Sequence, residues 1–181
     1  DNALRSFLNF AKRYKLSLSH QPAAYDGDRL KGYCLFVRTA GATGNIILPS
    51  DYNSVKPDTE KADILKNLLA LTADQLTAFD LGMIQLLTKC DETNKIAIAE
   101  QAGFVQFPPM ILMETPVRIN AKMVSELPSI HWYQYKDNLA QRFKDVIIQT
   151  YHRSLDYPEM TGLRSADEII TGHRYSGLFE P

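Results

Sequence analysis

The chain is short of cysteine, of long apolar runs and of any excess of one charge, and each shortage removes a class of function. Its two cysteines, Cys34 and Cys90, are too few for a disulfide framework. Cys34 sits inside an apolar run and Cys90 at the end of one, so both read as reduced, buried thiols of a cytoplasmic protein. No apolar run approaches the ~20 residues of a membrane span. The opening residues Asp1-Asn-Ala-Leu-Arg5 do not resemble a signal peptide. They also lack a Met, which suggests processing or excision from something longer. Lys plus Arg is 20 and Asp plus Glu is 21, so neither nucleic acid nor an anionic membrane is expected as a partner. His20, His131, His152 and His173 show no metal-ligand spacing, and no G-x-S-x-G elbow is present. No metal is expected. Glycine is absent between Asn45 and Leu81.

What is present is an ordinary globular mixture, 45% apolar and 23% charged over 181 residues. That length suits one domain, or one domain and part of another, with a core that needs no staples. Leu4, Phe7, Leu8, Ala11 and Tyr14 predict a first amphipathic helix. After the turn signal Tyr25-Asp-Gly-Asp28, residues 30–38 and 44–48 read as adjacent strands forming a hairpin. A loop over 49–57 leads to a helix capped by Asp58 or Thr59 and running through Ile64, Leu65, Leu68 and Leu69. Thr72-Ala-Asp-Gln75 reads as a capping box, and residues 83–87 as a buried strand. Asp91 is placed to cap a short helix that Gly103 ends. Residues 104–117 read as extended chain, with Pro108 and Pro109 marking a bulge or an edge. Strands alternate with helices, so the class is α/β or α+β.

The pattern loosens over 118–128, read as a linker. Residues 130–135 then read as a fresh strand. Leu139, Phe143, Val146, Ile147, Thr150 and Tyr151 form a second helical stripe, read as core. Ser165-Ala-Asp-Glu168 matches a capping box and opens a last helix.

A strand, a loop and a helix N-terminus make a ready anion site, and glycines let the backbone approach phosphate closely. In this setting Val55-Lys-Pro57, followed by Leu68-Leu69, resembles the acetyl-CoA motif of the GNAT acyltransferases, V-x-P, R/Q-x-x-G-x-G/A and a helix with paired leucines. Asn94, Ala97, Glu100, Gly103 and Phe104 resemble that family's downstream N-x-x-A and E-x-x-G-F pattern, over a slightly short interval. The resemblance implies a mixed, mostly antiparallel central sheet flanked by helices over residues 1–117. It also implies that Glu60-Lys-Ala-Asp-Ile-Leu65 occupy the pyrophosphate-loop positions, without a glycine and with two carboxylates. The tyrosine that often serves as general acid falls on Ala99, which has no proton to give. No catalytic or cofactor-binding residue is therefore assigned.

Ser154-Leu-Asp156, Pro158-Glu159, Gly162-Leu-Arg164, Asp167, Gly172-His-Arg174 and Gly177-x-Phe179-x-Pro181 resemble the opening of the second domain in bacterial tandem GNAT proteins. That arrangement implies a degenerate first domain (1–117), a linker (118–128) and the start of a second, similar unit (129–181) whose own phosphate loop and acid lie elsewhere. It further implies N-acetyl transfer from acetyl-CoA to a small-molecule or protein amine by the complete protein. No cofactor is expected on this chain, and a further C-terminal half or a homo-oligomer fits the arrangement. Asp156, Glu159, Arg164, His173 and Arg174 are the candidate amine-groove residues. A carboxylate there can hold an ammonium and a histidine can take its proton. The plainer reading makes Asp156 a cap, Arg164 a surface partner and His173 a solvated residue. The alternative function is a non-catalytic GNAT-like module that binds a ligand or partner.

Overall fold

The computed structural model describes residues 2–13, 16–111, 131, 133–152 and 158–175. These residues adopt an α+β fold. In order they form α1 (Asn2–Arg13), β1 (Ala23–Asp26), β2 (Arg29–Tyr33), β3 (Leu35–Thr39), β4 (Thr43–Ile47) and a 3-10 turn (Ser50–Tyr52). Then come α2 (Glu60–Ala73), the short α3 (Gln75–Ala78), β5 (Met83–Leu86) and α4 (Thr93–Gln101). Two further helices follow, α5 (Ala140–Tyr151) and α6 (Ala166–Tyr175). The linker expected over 118–128 lies outside the described residues.

The strands divide between two small sheets. β1 and β2 form an antiparallel ribbon, while β3, β4 and β5 form a sheet in that order. The run over 30–38 is thus two strands, not one. It changes sheet at Cys34, whose N–H turns away to bond Pro22 O at 3.1 Å. The expected hairpin is observed between β3 and β4, antiparallel with Phe36 opposite Ile46 and Val37 opposite Asn45. β5 runs parallel to β4, with Asn45 opposite Gln85 and Ile46 opposite Leu86. It is half-buried along its length rather than buried.

Period-two alternation sends Phe36, Ile46, Ile84 and Leu86 to one face of this sheet. There they meet α2. Ala62, Leu65, Leu68, Leu69 and Thr72 make that helix's buried face, and Ile98 and Ala99 of α4 close the far side of the cluster. Thr72 is fully buried inside α2, where its hydroxyl donates to Leu68 O at 2.7 Å. It therefore opens no capping box. The break after Ala73 has Asp74 before α3 without a side-chain cap bond. Gly44 is needed on this face because the Phe36 ring lies across it, and a Cβ would come within 2.5 Å of that ring.

Two helix ends follow the expected chemistry and one does not. Gly103, at φ +92°, closes α4 with Phe104 N–H on Ala99 O and Gly103 N–H on Glu100 O, a Schellman pair. Ser165 N–H donates to Glu168 Oε2 and Glu168 N–H to Ser165 Oγ, completing the reciprocal box at α6. Asp91 does not cap α4. Glu92 stands there instead, its carboxylate accepting from the Lys89 N–H. Residues 131 and 133–136 form no strand, and the described part of 104–117 has no regular pairing. The stripe on α5 is also not core. No residue of that helix is fully buried, and Val146 and Ile148 are about half exposed.

α5 packs against α6, tied by Lys144 and Asp167 at 2.6 Å. α6 in turn rests on the three-residue β3–β4 loop, where Gly41 has φ +83° and a Cβ would meet Glu168 O at 2.6 Å and Gly172 Cα at 2.9 Å. Both neighbours are backbone and cannot swing aside. Gly41→Ala is expected to cost about 3 kcal/mol in urea unfolding, combining the left-handed φ with overpacking. Gly27→Ala, at φ +57° in open space, is expected to cost about 1 kcal/mol. Equal losses for the two variants would show that the α6 contact carries nothing.

Candidate functional site

The strand–loop–helix over 44–69 is the first place to look for an anion site. β4 ends at Ile47, the loop follows, and Thr59 caps α2, its hydroxyl accepting from Ala62 N–H at 3.2 Å. The six positions that the family pattern assigns to the phosphate loop are therefore helical from Glu60 onward. Ala62 and Leu65 point into the core, and Leu65 is fully buried. The charged positions are paired within the chain. Glu60 meets Lys31 at 2.7 Å, Lys61 meets Asp51 at 2.8 Å and Asp63 meets Lys66 at 3.3 Å. The bond and charge of Lys31 hold the Glu60 carboxyl below its usual range. A phosphate arriving here finds the Ala62 and Asp63 N–H groups already bonded to Thr59, with the carboxylates of Glu60 and Asp63 beside them.

At the downstream motif, Asn94 and Ala97 lie on the exposed side of α4, while Lys95, Ile98 and Ala99 face inward. Ala99 stands in the core. Lys95 carried no sequence signal of its own, yet it is the one buried charged residue among those described. A buried ammonium must be paired and hydrogen-bonded to persist. Lys95 Nζ lies 2.9 Å from Glu92 Oε1 and donates to Asn53 Oδ1 at 3.2 Å. Glu92 also accepts from the Thr88 hydroxyl and from the Lys89 N–H. These bonds, the Thr88 hydroxyl foremost, hold its carboxyl at about 2.

This cluster closes one end of a cleft of about 650 Å³ between α1 and the second face of the three-stranded sheet. Phe7 and Phe10 of α1, Val37, Ile47 and Leu87 supply apolar walls, and Thr39, Asn45 and Gln85 form a polar floor. The cleft runs toward the carboxyl ends of the parallel pair β4 and β5. Small-molecule sites of this volume favour such crevices.

The residues selected from sequence do not assemble into one site. Asp156 lies outside the described residues. Glu159 is exposed and lines a second cleft, of about 640 Å³, with Glu100 and residues 104–109. Arg164 is half-buried at the other end of the sheet, where it donates to the Thr43 hydroxyl at 3.4 Å. His173 and Arg174 are exposed on α6, with the Arg174 guanidinium 5.4 Å from the Tyr135 ring centroid. The cysteines also differ from expectation. Cys34 is buried, and desolvation pushes its thiol up, but Cys90 is exposed. Among the described residues no helix is long and apolar enough to cross a membrane, and no three His, Cys, Asp or Glu side chains gather as a metal site.

Set against models of protein families, curated proteins and solved structures, the chain matches none of them.

Glu92 sets a pH window. Its folded-state value lies below the unfolded carboxyl near 4.5, so its contribution is complete above that pH and drains away as the pH falls toward 2. Glu92→Gln leaves Lys95 buried without a counter-charge, with an expected loss of about 3 kcal/mol at pH 7. The gap between variant and parent should shrink steadily in urea titrations from pH 5 to pH 2.5. A gap independent of pH would remove Glu92 from this role.

Proposed function

We propose that residues 1–117 are a GNAT-like unit that has lost acyl-CoA chemistry and serves an N-acetyltransferase of the tandem type as a non-transferring, ligand-binding part. One observation carries this reading: the positions for the pyrophosphate loop are the first turns of α2, capped by Thr59 and flanked by paired carboxylates. The N–H groups of Ala62 and Asp63 are already bonded to Thr59, and without a glycine the remaining first-turn backbone cannot wrap closely around a diphosphate. Ala99 in the core supports the reading independently, because its side chain has no proton to give at the position where the family pattern places the donor. In the arrangement that the later residues resemble, acyl transfer from acetyl-CoA to an amine belongs to the second unit. The floor and walls of the α1 cleft favour binding as what remains to this one.

Titration calorimetry of the chain with acetyl-CoA is expected to give no saturable heat at micromolar concentrations. With a panel of primary amines added, no free CoA thiol should accumulate above the uncatalysed rate. Micromolar binding of acetyl-CoA would overturn the assignment of α2. Thiol release that saturates with acetyl-CoA would overturn the loss of chemistry.

A further inference from the structure

We propose that the cleft between α1 and the three-stranded sheet binds an uncharged carboxamide carried on an apolar body, read by Gln85. Strand register places Val37, Asn45 and Gln85 side by side across β3, β4 and β5. Their face of the sheet is the cleft floor. There the side chains form a hydrogen-bond chain whose donors all run one way. Gln85 Nε2 donates to Asn45 Oδ1 at 2.6 Å, Asn45 Nδ2 donates to Thr39 Oγ1 at 3.2 Å, and Thr39 Oγ1 donates to Thr43 O at 3.2 Å. The chain ends on a backbone carbonyl and starts at Gln85. Gln85 is half-buried, and its amide keeps an oxygen acceptor and one N–H donor that no described residue engages. An acceptor beside a donor on one planar group is the complement of another amide.

The surroundings select against charge. Lys95 is neutralised by Glu92, and Lys89 is exposed at the rim, where its field is screened. A carboxylate would set an acceptor against Gln85 Oε1. An ammonium would have to leave water for a single neutral oxygen. Phe7, Phe10, Val37, Ile47 and Leu87 supply the walls for an apolar body, and about 650 Å³ is ample for a small ligand. This inference rests on the floor of the cleft and not on the state of α2, so it survives or fails separately from the acetyl-CoA result.

The test uses the whole chain and three probes with one body: 4-phenylbutanamide, 4-phenylbutanoate and 4-phenylbutylamine, followed by chemical-shift titration of the backbone amides of residues 83–89. The amide is expected to bind about tenfold more tightly than either charged probe. Gln85→Leu should abolish that preference. Gln85→Glu should reverse it toward the amine, an inversion that a purely structural role for Gln85 would not produce. A blocked dipeptide, N-acetyl-phenylalanyl-alaninamide, identifies the source. Tighter binding than 4-phenylbutanamide points to a peptide, and weaker binding to a free amide; both support the proposal. Failure of every probe to shift residues 83–89, or equal affinity for amide and carboxylate, overturns it. If Gln85→Leu does not fold, the order of the three probes on the parent chain and on Gln85→Glu decides.

Discussion

The fold depends on the burial of one face of α2. Leu65, Leu68, Leu69 and Thr72 lie along it, essentially without solvent contact. The β3–β4 hairpin brings Phe36 and Ile46, the ribbon strand β2 approaches from the side, and α4 brings Ile98 and Ala99. The three-residue β3–β4 loop has α6 against it, and a single strand-switch at Cys34 joins the two sheets. The switch is held because both sheets must meet the same helix. Burying one Leu or Phe contributes roughly 1.5–3 kcal/mol, so a face of this size outweighs any exposed ion pair on the surface.

The same constraint accounts for the closed anion site. A phosphate loop needs its first residues out of helical geometry so that several N–H groups converge on one point. Here Ala62 and Leu65 are core residues, and their burial requires helical geometry from Glu60 onward. Stability of the core and an open cradle compete for the same backbone. The core wins by several kcal/mol, and the pairs Glu60–Lys31 and Asp63–Lys66 only decorate the outcome.

How far the sequence could be read follows from where each signal comes from. Local signals were legible. The Ser165–Glu168 box and the Gly103 ending are set by a few adjacent residues and appear as expected, and of the two caps open to α2, Asp58 and Thr59, it is Thr59 that serves. Signals that depend on what lies opposite were not. Thr72 looked like a cap because Ser and Thr favour helix starts, but its hydroxyl satisfied itself on Leu68 O and allowed burial. The stripe on α5 was a true helix signal and a poor burial signal, since periodicity reports an apolar face and not whether a partner covers it. Lys95 was illegible because a lysine at an inward position is noticed only once Glu92 and Asn53 are seen to meet it. The candidates Asp156, Glu159, Arg164, His173 and Arg174 share one stretch of chain, and the fold distributes the four described ones between a cleft edge, a sheet end and a helix surface.

The helical period explains why motif letters and inward-facing residues diverge on α4. Asn94 and Ala97 are three apart and share one face, while Lys95, Ile98 and Ala99 share the other. Only the second set touches the core and the cleft. Lys95 thereby reaches the cleft beside the sheet floor. Lys95 is committed to Glu92, and Glu92 is committed to Thr88 and Lys89 as well. The α2 start and the Lys95 end of the cleft are thus both occupied by the protein's own charges. On the cleft floor the neutral amide of Gln85, at the head of a polarised chain, keeps an acceptor and one donor that no described residue engages. Recognition through it is by hydrogen-bond direction and apolar contact, which salt screens little.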